Sequence, residues 1–341
     1  MSTTTRRRFI QQSATLAIMA ALPRALLAQI ISNKPPESSF GADSTAEMVT
    51  EGLDLSGKTY AITGANSGLG FETMRVLTLR GAHVIGIARS QAKAETACAS
   101  VQGNATPEYL DLADFESVVA CADRIRASGI SIDGLICNAG VVAVRELEIV
   151  NGVEKHFCIN HLGHFILINQ LLDSVLASQQ KRFVIVSSRA HRNAPPQGIL
   201  FDDLAWQDTE YDPQVAYGHS KLANALCSRE LARRLSDGDA TSNSLHPGVI
   251  VTNAIRNMDP WMQTAARWLG WLFTKTVEEG AATQTYLATS PGLVDVRGYY
   301  FDDCNVGEGT PYLTDDAMAL KLWQVSEALT RNYLPVPTHT T

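Results

Sequence analysis

The chain has 341 residues, 45% of them hydrophobic, which is enough for one large α/β domain or two smaller ones. Its formal net charge is -7, and residues 1–28 hold four arginines (Arg6, Arg7, Arg8, Arg24) and no acid, so the remainder is more acidic still. An acidic body without a basic tract excludes the electrostatic footprint of a nucleic-acid binder. Six singly scattered cysteines (Cys98, Cys121, Cys137, Cys158, Cys227, Cys304) offer neither CxxC spacing nor a Cys/His metal cluster.

Thr5-Arg6-Arg7-Arg8-Phe9-Ile10-Gln11 precedes an apolar run from Ala14 to Leu22, and small residues follow to Ala25 or Ala28. A charged start, a short apolar stretch and a small residue at a cut form a signal-peptide layout. The run is short for a bilayer span. Paired arginines before x-Phe-Ile-Gln resemble the twin-arginine export signal of bacteria. The expectation is that residues 1–28 are a leader read by the twin-arginine export machinery, with a periplasmic product, or alternatively an uncleaved membrane anchor. Residues 29–52, rich in Ser, Pro, Glu and Thr, read as a flexible linker. Residues 331–341 read as a C-terminal tail.

Between them the chain alternates. An apolar run, Lys58 to Ile62, leads into Thr63-Gly64-Ala65-Asn66-Ser67-Gly68-Leu69-Gly70, and a helical pattern with Met74, Val76, Leu77 and Leu79 follows. Strand, glycine turn and helix is the context a phosphate-binding loop requires, although a plain strand-to-helix turn also uses glycine. A strand at His83–Ala88 ends at Arg89, and a helix covers Gln91–Val101. A weaker strand at 106–110 ends at Asp111-Leu112, and a helix runs from Asp114 to Ser128. A strand at Ile132–Cys137 ends at Asn138-Ala139-Gly140. A long helix is predicted over Val153–Leu176 and a strand over Arg182–Ser187. This alternation predicts a doubly wound parallel sheet of Rossmann type in a single domain, with ligands at the carboxyl ends of the strands. No second domain boundary is visible in residues 53–330.

Those strand ends carry the chemistry. Arg89 stands where an acid would hold the ribose hydroxyls of NAD, and an arginine there suits the 2′-phosphate of NADP instead. Asp111 can meet an adenine amino group or simply open the next helix. Tyr217 and Lys221 begin a helix and share one face at i, i+4. A lysine charge beside a tyrosine favours the phenolate and prepares it for proton transfer. Ser188 ends a strand where it can donate to a carbonyl oxygen. Asn160 lies in the middle of the long helix, an unfavourable place unless it has a hydrogen bond to make. His161 and His164 read as packing or surface residues rather than ligands, and no metal site is expected.

Taken together, Thr63-Gly64-x-x-x-Gly68-x-Gly70, Asn138-Ala139-Gly140, Asn160, Ser188, Tyr217-x-x-x-Lys221 and His246-Pro247-Gly248 resemble the short-chain dehydrogenase/reductase family across residues 53–330. Asn160-His161-Leu162-Gly163-His164-Phe165, Val186-Ser187-Ser188-Arg189-Ala190-His191 and Tyr299-Tyr300-Phe301-Asp302-Asp303-Cys304 are similar to its retinol-dehydrogenase and WW-domain-oxidoreductase branch. The resemblance implies strand order 3-2-1-4-5-6-7. It makes Tyr217 the general acid/base, Lys221 the residue that lowers its pKa, Ser188 the holder of the substrate oxygen and Asn160 the seat of a relay water. It sets Gly64, Asn66, Ser67, Gly68, Leu69 and Gly70 against the cofactor phosphates. Arg89, Asp111, Leu112, Asn138, Ala139 and Gly140 line the cofactor's adenine side and middle, and Pro247, Gly248, Val249 and Thr252 close over the nicotinamide.

The implied reaction interconverts an alcohol and a ketone or aldehyde with NADP rather than NAD. The alternative is a non-catalytic NADP-binding sensor or scaffold. Trp261, Trp268, Trp271, Leu272 and Phe273 suggest an apolar substrate, and the segment Asn193–Asp212, with Phe201, Trp206 and Tyr211, is expected to wall its pocket. The long helices at 153–176 and 217–235 are expected to pair in a homodimer. Export departs from the family pattern, because NADP is a cytoplasmic cofactor and would have to travel with the folded chain.

Overall fold

The computed structural model describes residues 35, 37–142, 144–248 and 275–335. Its sheet contains strands β1 (Thr59–Thr63), β2 (His83–Ala88), β3 (Asn104–Tyr109), β4 (Gly134–Cys137), β5 (Arg182–Val186), β6 (Thr241–His246), β7 (Tyr300–Asp302) and β8 (Asn305–Val306). They lie in the order β3-β2-β1-β4-β5-β6-β7-β8. All neighbours pair in parallel except β7 with β8. The expected order is therefore present, extended by one antiparallel edge strand. That strand follows a two-residue turn in which Asp303 and Cys304 both have positive φ, the backbone such hairpins need. Cysteine is not a turn signal, so the sequence does not announce it.

Helices cover both faces. Phe183 and Ile185 of β5 join one core with Phe115, Phe165, Leu222 and Trp323, whereas Val184 and Val186 join the other with Met74, Leu77 and Tyr286. A strand buried on both faces reads as a continuous apolar run, as β5 does. The first core lies under α4 (Phe115–Ala127), α5 (Gly163–Leu176), α6 (Pro213–Arg234) and α9 (Asp316–Thr330). The second lies under α2 (Gly68–Leu79) and α8 (Ala282–Thr289). Two short helices, α1 (Ala46–Val49) and α7 (Val277–Gly280), and α3 (Gln91–Ser100) complete the α-helices of the described residues. All six cysteines are buried and unpaired. Among the described residues, no helix is long and apolar enough to cross a membrane.

Three expectations are corrected. The linker does not extend to residue 52: Thr45 caps α1, Ala46 and Val49 are buried, and Ser38 N donates to Asn305 Oδ1 at 2.8 Å. Phe40 meets Tyr286 edge-on at 5.8 Å, so a few apolar residues suffice to dock this polar stretch. The long helix does not start at Val153. Asn151 and Gly152, both at positive φ, turn a small hairpin between 149–150 and 153–154, and Asn-Gly is the strongest local signal for that turn. Helix begins only afterwards, as a π-helical turn at Phe157–Leu162 that runs into α5. Finally, α6 starts at Pro213 rather than Tyr217. Asp212 accepts from the Gln214 and Val215 amides, and proline fits the first turn. Tyr217 and Lys221 thus sit inside an established helix. Nearly every residue of α6 from Ala216 to Ala232 is buried within the one chain.

Candidate active site

The glycine loop joins β1 to α2 and is closely packed from behind. Gly64 and Gly68 have φ of +74° and +54°. A Cβ on Gly70 would lie 2.3 Å from Gly64 O and 2.6 Å from Asn138 Nδ2. Only glycine permits that approach. Ser67, the N-cap of α2, makes no side-chain cap bond, so the first-turn N–H groups are left for an anion.

Beside the loop lies a cavity of about 380 Å³. Gly64, Asn66, Ser67, Gly68, Leu69, Arg89, Asp111, Leu112, Asn138, Ala139 and Gly140, all singled out in the sequence, line it together. Thr63, Ile87, Ala88, Leu110, Val141 and Ile159 line it as well. Four of these, Thr63, Ala88, Leu110 and Val141, adjoin residues already singled out at strand ends, and that was the signal for them. Gly70 supports the loop from behind instead of lining it. Pro247 and Gly248 lie outside this lining, and Val249, Thr252 and the five aromatic and apolar residues from Trp261 to Phe273 fall outside the described residues. Arg89 is exposed at the rim and has no hydrogen bond or ion pair among the described residues. The donor set fits a dinucleotide: glycine backbone at a helix start for a pyrophosphate, an unpaired guanidinium for a further phosphate and apolar walls for the rings.

One buried hydroxyl ties β1 to the rest of the site. Thr63 Oγ1 accepts from the Asn138 and Ala139 amides, both at 3.0 Å, and its own hydrogen then goes to His164 Nε2 at 2.9 Å. His164 Nδ1 in turn donates to Asn160 O at 3.0 Å. That tautomer follows from the partners. Burial pushes His164 down to about 4, which keeps it neutral. His161 meets Ser326 Oγ at 2.7 Å. Both histidines are buried and hydrogen-bonded within the protein. Among the described residues no group of His, Cys, Asp and Glu could hold a metal ion.

Asn160 lies in the π-helical turn, a feature frequent at functional sites. Its Oδ1 accepts from Val141 N at 2.8 Å, and its Nδ2 donates to Ser220 Oγ at 3.0 Å and to Val141 O at 3.1 Å. The asparagine thus locks the cavity wall to α6.

Tyr217 and Ser188 come together because Gly218 has no side chain. A Cβ there would lie 2.5 Å from Ala190 O, so glycine lets α6 press against the short 3-10 turn that follows Ser188. Ser188 Oγ caps that turn at Ala190 N. Lys221 Nζ lies 5.7 Å from the Tyr217 ring centre and donates to Val186 O at 3.0 Å. Burial pulls Lys221 down to about 8. Burial also pushes Tyr217 up to about 12, an effect only partly offset by the Ser188 hydroxyl. The expected lowering by Lys221 is not what sets the Tyr217 shift: burial of the phenol raises it, and the Ser188 hydroxyl is the group that opposes burial.

Tyr217 opens on a second cavity of about 520 Å³, lined also by Val142, Arg145, Asn193, Asp212, Pro213 and Gln214. Of the extra segment, only Asn193 and Asp212 reach this wall. Trp206 and Tyr211 instead pack edge-on at 5.7 Å in a separate small core, where their large apolar area is better buried. The described wall is therefore mixed in polarity.

A parallel sheet with a glycine-loop cavity and a Ser-Tyr-Lys cluster at its carboxyl edge defines an oxidoreductase of the Rossmann class. The short chain dehydrogenase family matches residues 58–201. Retinol dehydrogenase 14 of Homo sapiens is 39% identical over 295 residues, 81% of this chain and 87% of that one. The WW domain-containing oxidoreductase of Gallus gallus is 38% identical over 312 residues, 88% and 75%. A solved structure of an uncharacterised protein from Mycobacterium paratuberculosis is 34% identical, with a TM-score of 0.67 over 84% of this chain and 98% of that one. The chain belongs to the short-chain dehydrogenase/reductase family.

Proposed function

We propose that the chain is an NADP-dependent reductase or dehydrogenase that interconverts an alcohol and a ketone or aldehyde on a small molecule with a substantial apolar part. The observation that carries this reading is the convergence of Ser188, Tyr217 and Lys221 between the two cavities. When bound, the dinucleotide supplies or accepts the hydride. The α2 N-terminus and the glycine loop would hold its pyrophosphate, Asp111 and Leu112 its adenine end, and Arg89 a 2′-phosphate. Ser188 donates to the substrate oxygen, and Tyr217 gives that oxygen its proton in reduction or takes it in oxidation. A phenol near 12 is protonated throughout the neutral range, which suits the acid role. Lys221 supplies positive charge beneath the ring, and Asn160 holds the wall through which a relay water would pass.

NADP in preference to NAD rests on the free Arg89 and on the absence of an acid in Ala88-Arg89-Ser90. Export by the twin-arginine route rests on Arg6, Arg7 and the apolar run after them, and fractionation of the native host tests it. Homodimer formation is proposed by analogy with the family alone. The decisive experiment incubates the full chain with NADPH or NADH and a panel of apolar carbonyls and alcohols. Turnover with NADPH is expected, and Tyr217→Phe should lower kcat by about 10²–10⁴-fold. Tight NADPH binding without turnover across the panel would favour the sensor reading instead.

A further inference from the structure

Beneath the catalytic ring lies a pair of ionisable side chains that the chemistry above does not use. Glu154 and His156 are both fully buried. Glu154 Oε1 accepts from His156 Nδ1 at 2.8 Å, and Oε2 accepts from Phe157 N at 3.0 Å. Burial would raise this carboxyl, but the His156 ring and the two amides it faces outweigh it and hold it below its usual range. His156 Nε2 accepts from Val144 N at 3.4 Å, while Tyr211 OH donates to Val144 O at 2.9 Å. Val144 is thus clamped through both of its backbone polar groups, between Val142 and Arg145 of the cavity wall. The edge of the His156 ring meets the Tyr217 ring at 5.8 Å and 65°. His156 is also the N-cap of the π-helical turn that carries Asn160.

We infer that Glu154 and His156 are positioning residues: the carboxylate orients the imidazole, and the imidazole fixes the Tyr217 ring and the Val144 wall together. Burying a carboxylate and an imidazole is costly unless both are paired. The pair joins three parts of the site that are far apart in the chain. The other polar groups facing Tyr217 are Ser188, Lys221 and Tyr300, on separate elements. Those facing Glu154 besides His156 are Tyr211, His219 and Cys158. None of these need be altered to test the pair.

The kinetic part of the test rests on the reductase reading, whereas the spectroscopic part does not. Glu154→Gln and His156→Gln are compared with wild type in the full chain, and Glu154→Asp is added as a conservative variant in case either fails to fold. The expected result is a kcat lowered about tenfold to a hundredfold, as for a small misplacement of a reacting group. KM and NADPH affinity should change less than about twofold, and Glu154→Asp should recover part of the rate. Independently, the ultraviolet difference between each protein and its own Tyr217→Phe derivative reports the Tyr217 phenolate. Wild type should show none up to about pH 10.5. Both Gln variants should show it there, because a Tyr217 ring no longer held by the His156 ring admits water, and hydration reverses the burial that pushes the phenol up. Unchanged kcat alongside lowered melting temperature would overturn the inference. If wild type turns over nothing, the reductase reading fails, and absence of phenolate signal in the Gln variants then overturns the pair by itself.

Discussion

The two halves of this site are built on opposite principles. The cofactor side, on β1 to β3, is defined largely by what is missing: no Cβ at Gly64, Gly68 or Gly70, no acid after β2 and no side-chain cap on α2. The catalytic side, on the end of β5, α6, α5 and the small hairpin that precedes it, is defined by what is buried: Tyr217 pushed up, Lys221 and His164 pulled down, and a Glu154–His156 pair with no exposure. A site made of backbone shape tolerates few insertions of atoms but does not depend on proton state. A site made of desolvated ionisable groups should respond to pH and to subtle repacking. The two halves should therefore fail in different ways when perturbed.

The largest contrast is expected at Gly70. Gly70→Ala places a methyl 2.3 Å from a backbone oxygen that cannot rotate away. Overpacking of this kind costs about 1–3 kcal/mol, so calorimetry should show NADPH and NADH binding weakened together by about tenfold to a hundredfold. A smaller and more selective effect is expected at Arg89. Losing charge-assisted hydrogen bonds to a phosphate costs about 1.5–3 kcal/mol. Arg89→Ala should therefore raise the Kd of NADPH by about tenfold or more and leave that of NADH unchanged. Equal losses for both cofactors would remove the argument for NADP.

The same contrast explains what could be read in advance. Glycine spacing and strand ends are local, so the cofactor cavity and the strand order were legible from short stretches. Tyr217 and Lys221 were legible because i, i+4 spacing is local as well. Thr63 as the hub to Asn138 and His164 was not, since its partners lie 75 and 101 residues away. Nor was the docking of residues 38–50, which depends on Phe40 finding Tyr286. The hairpin at Asn151-Gly152 was legible but was overridden by the apolar helical pattern around it. The balance on Tyr217 could not be read from spacing, because spacing conveys the charge of Lys221 but not the burial of the phenol.

That balance leads to the mildest effect, and the one that separates the halves most cleanly. Lys221 has a pKa pulled down to about 8 by burial, so it is charged below that pH and neutral above it. Tyr217 remains protonated over the whole interval. In the carbonyl-reducing direction, kcat should therefore be flat from about pH 6 to 7, fall to roughly half its plateau near pH 8 and continue downward, as expected for loss of one essential proton. The limb belongs to the lysine rather than to the tyrosine, so it should persist with substrates of different carbonyl reactivity. Binding of NADPH through the glycine loop should change far less across the same interval, because backbone N–H groups do not titrate. A kcat profile that stays flat to about pH 10 would mean that the charge of Lys221 is not needed for proton delivery.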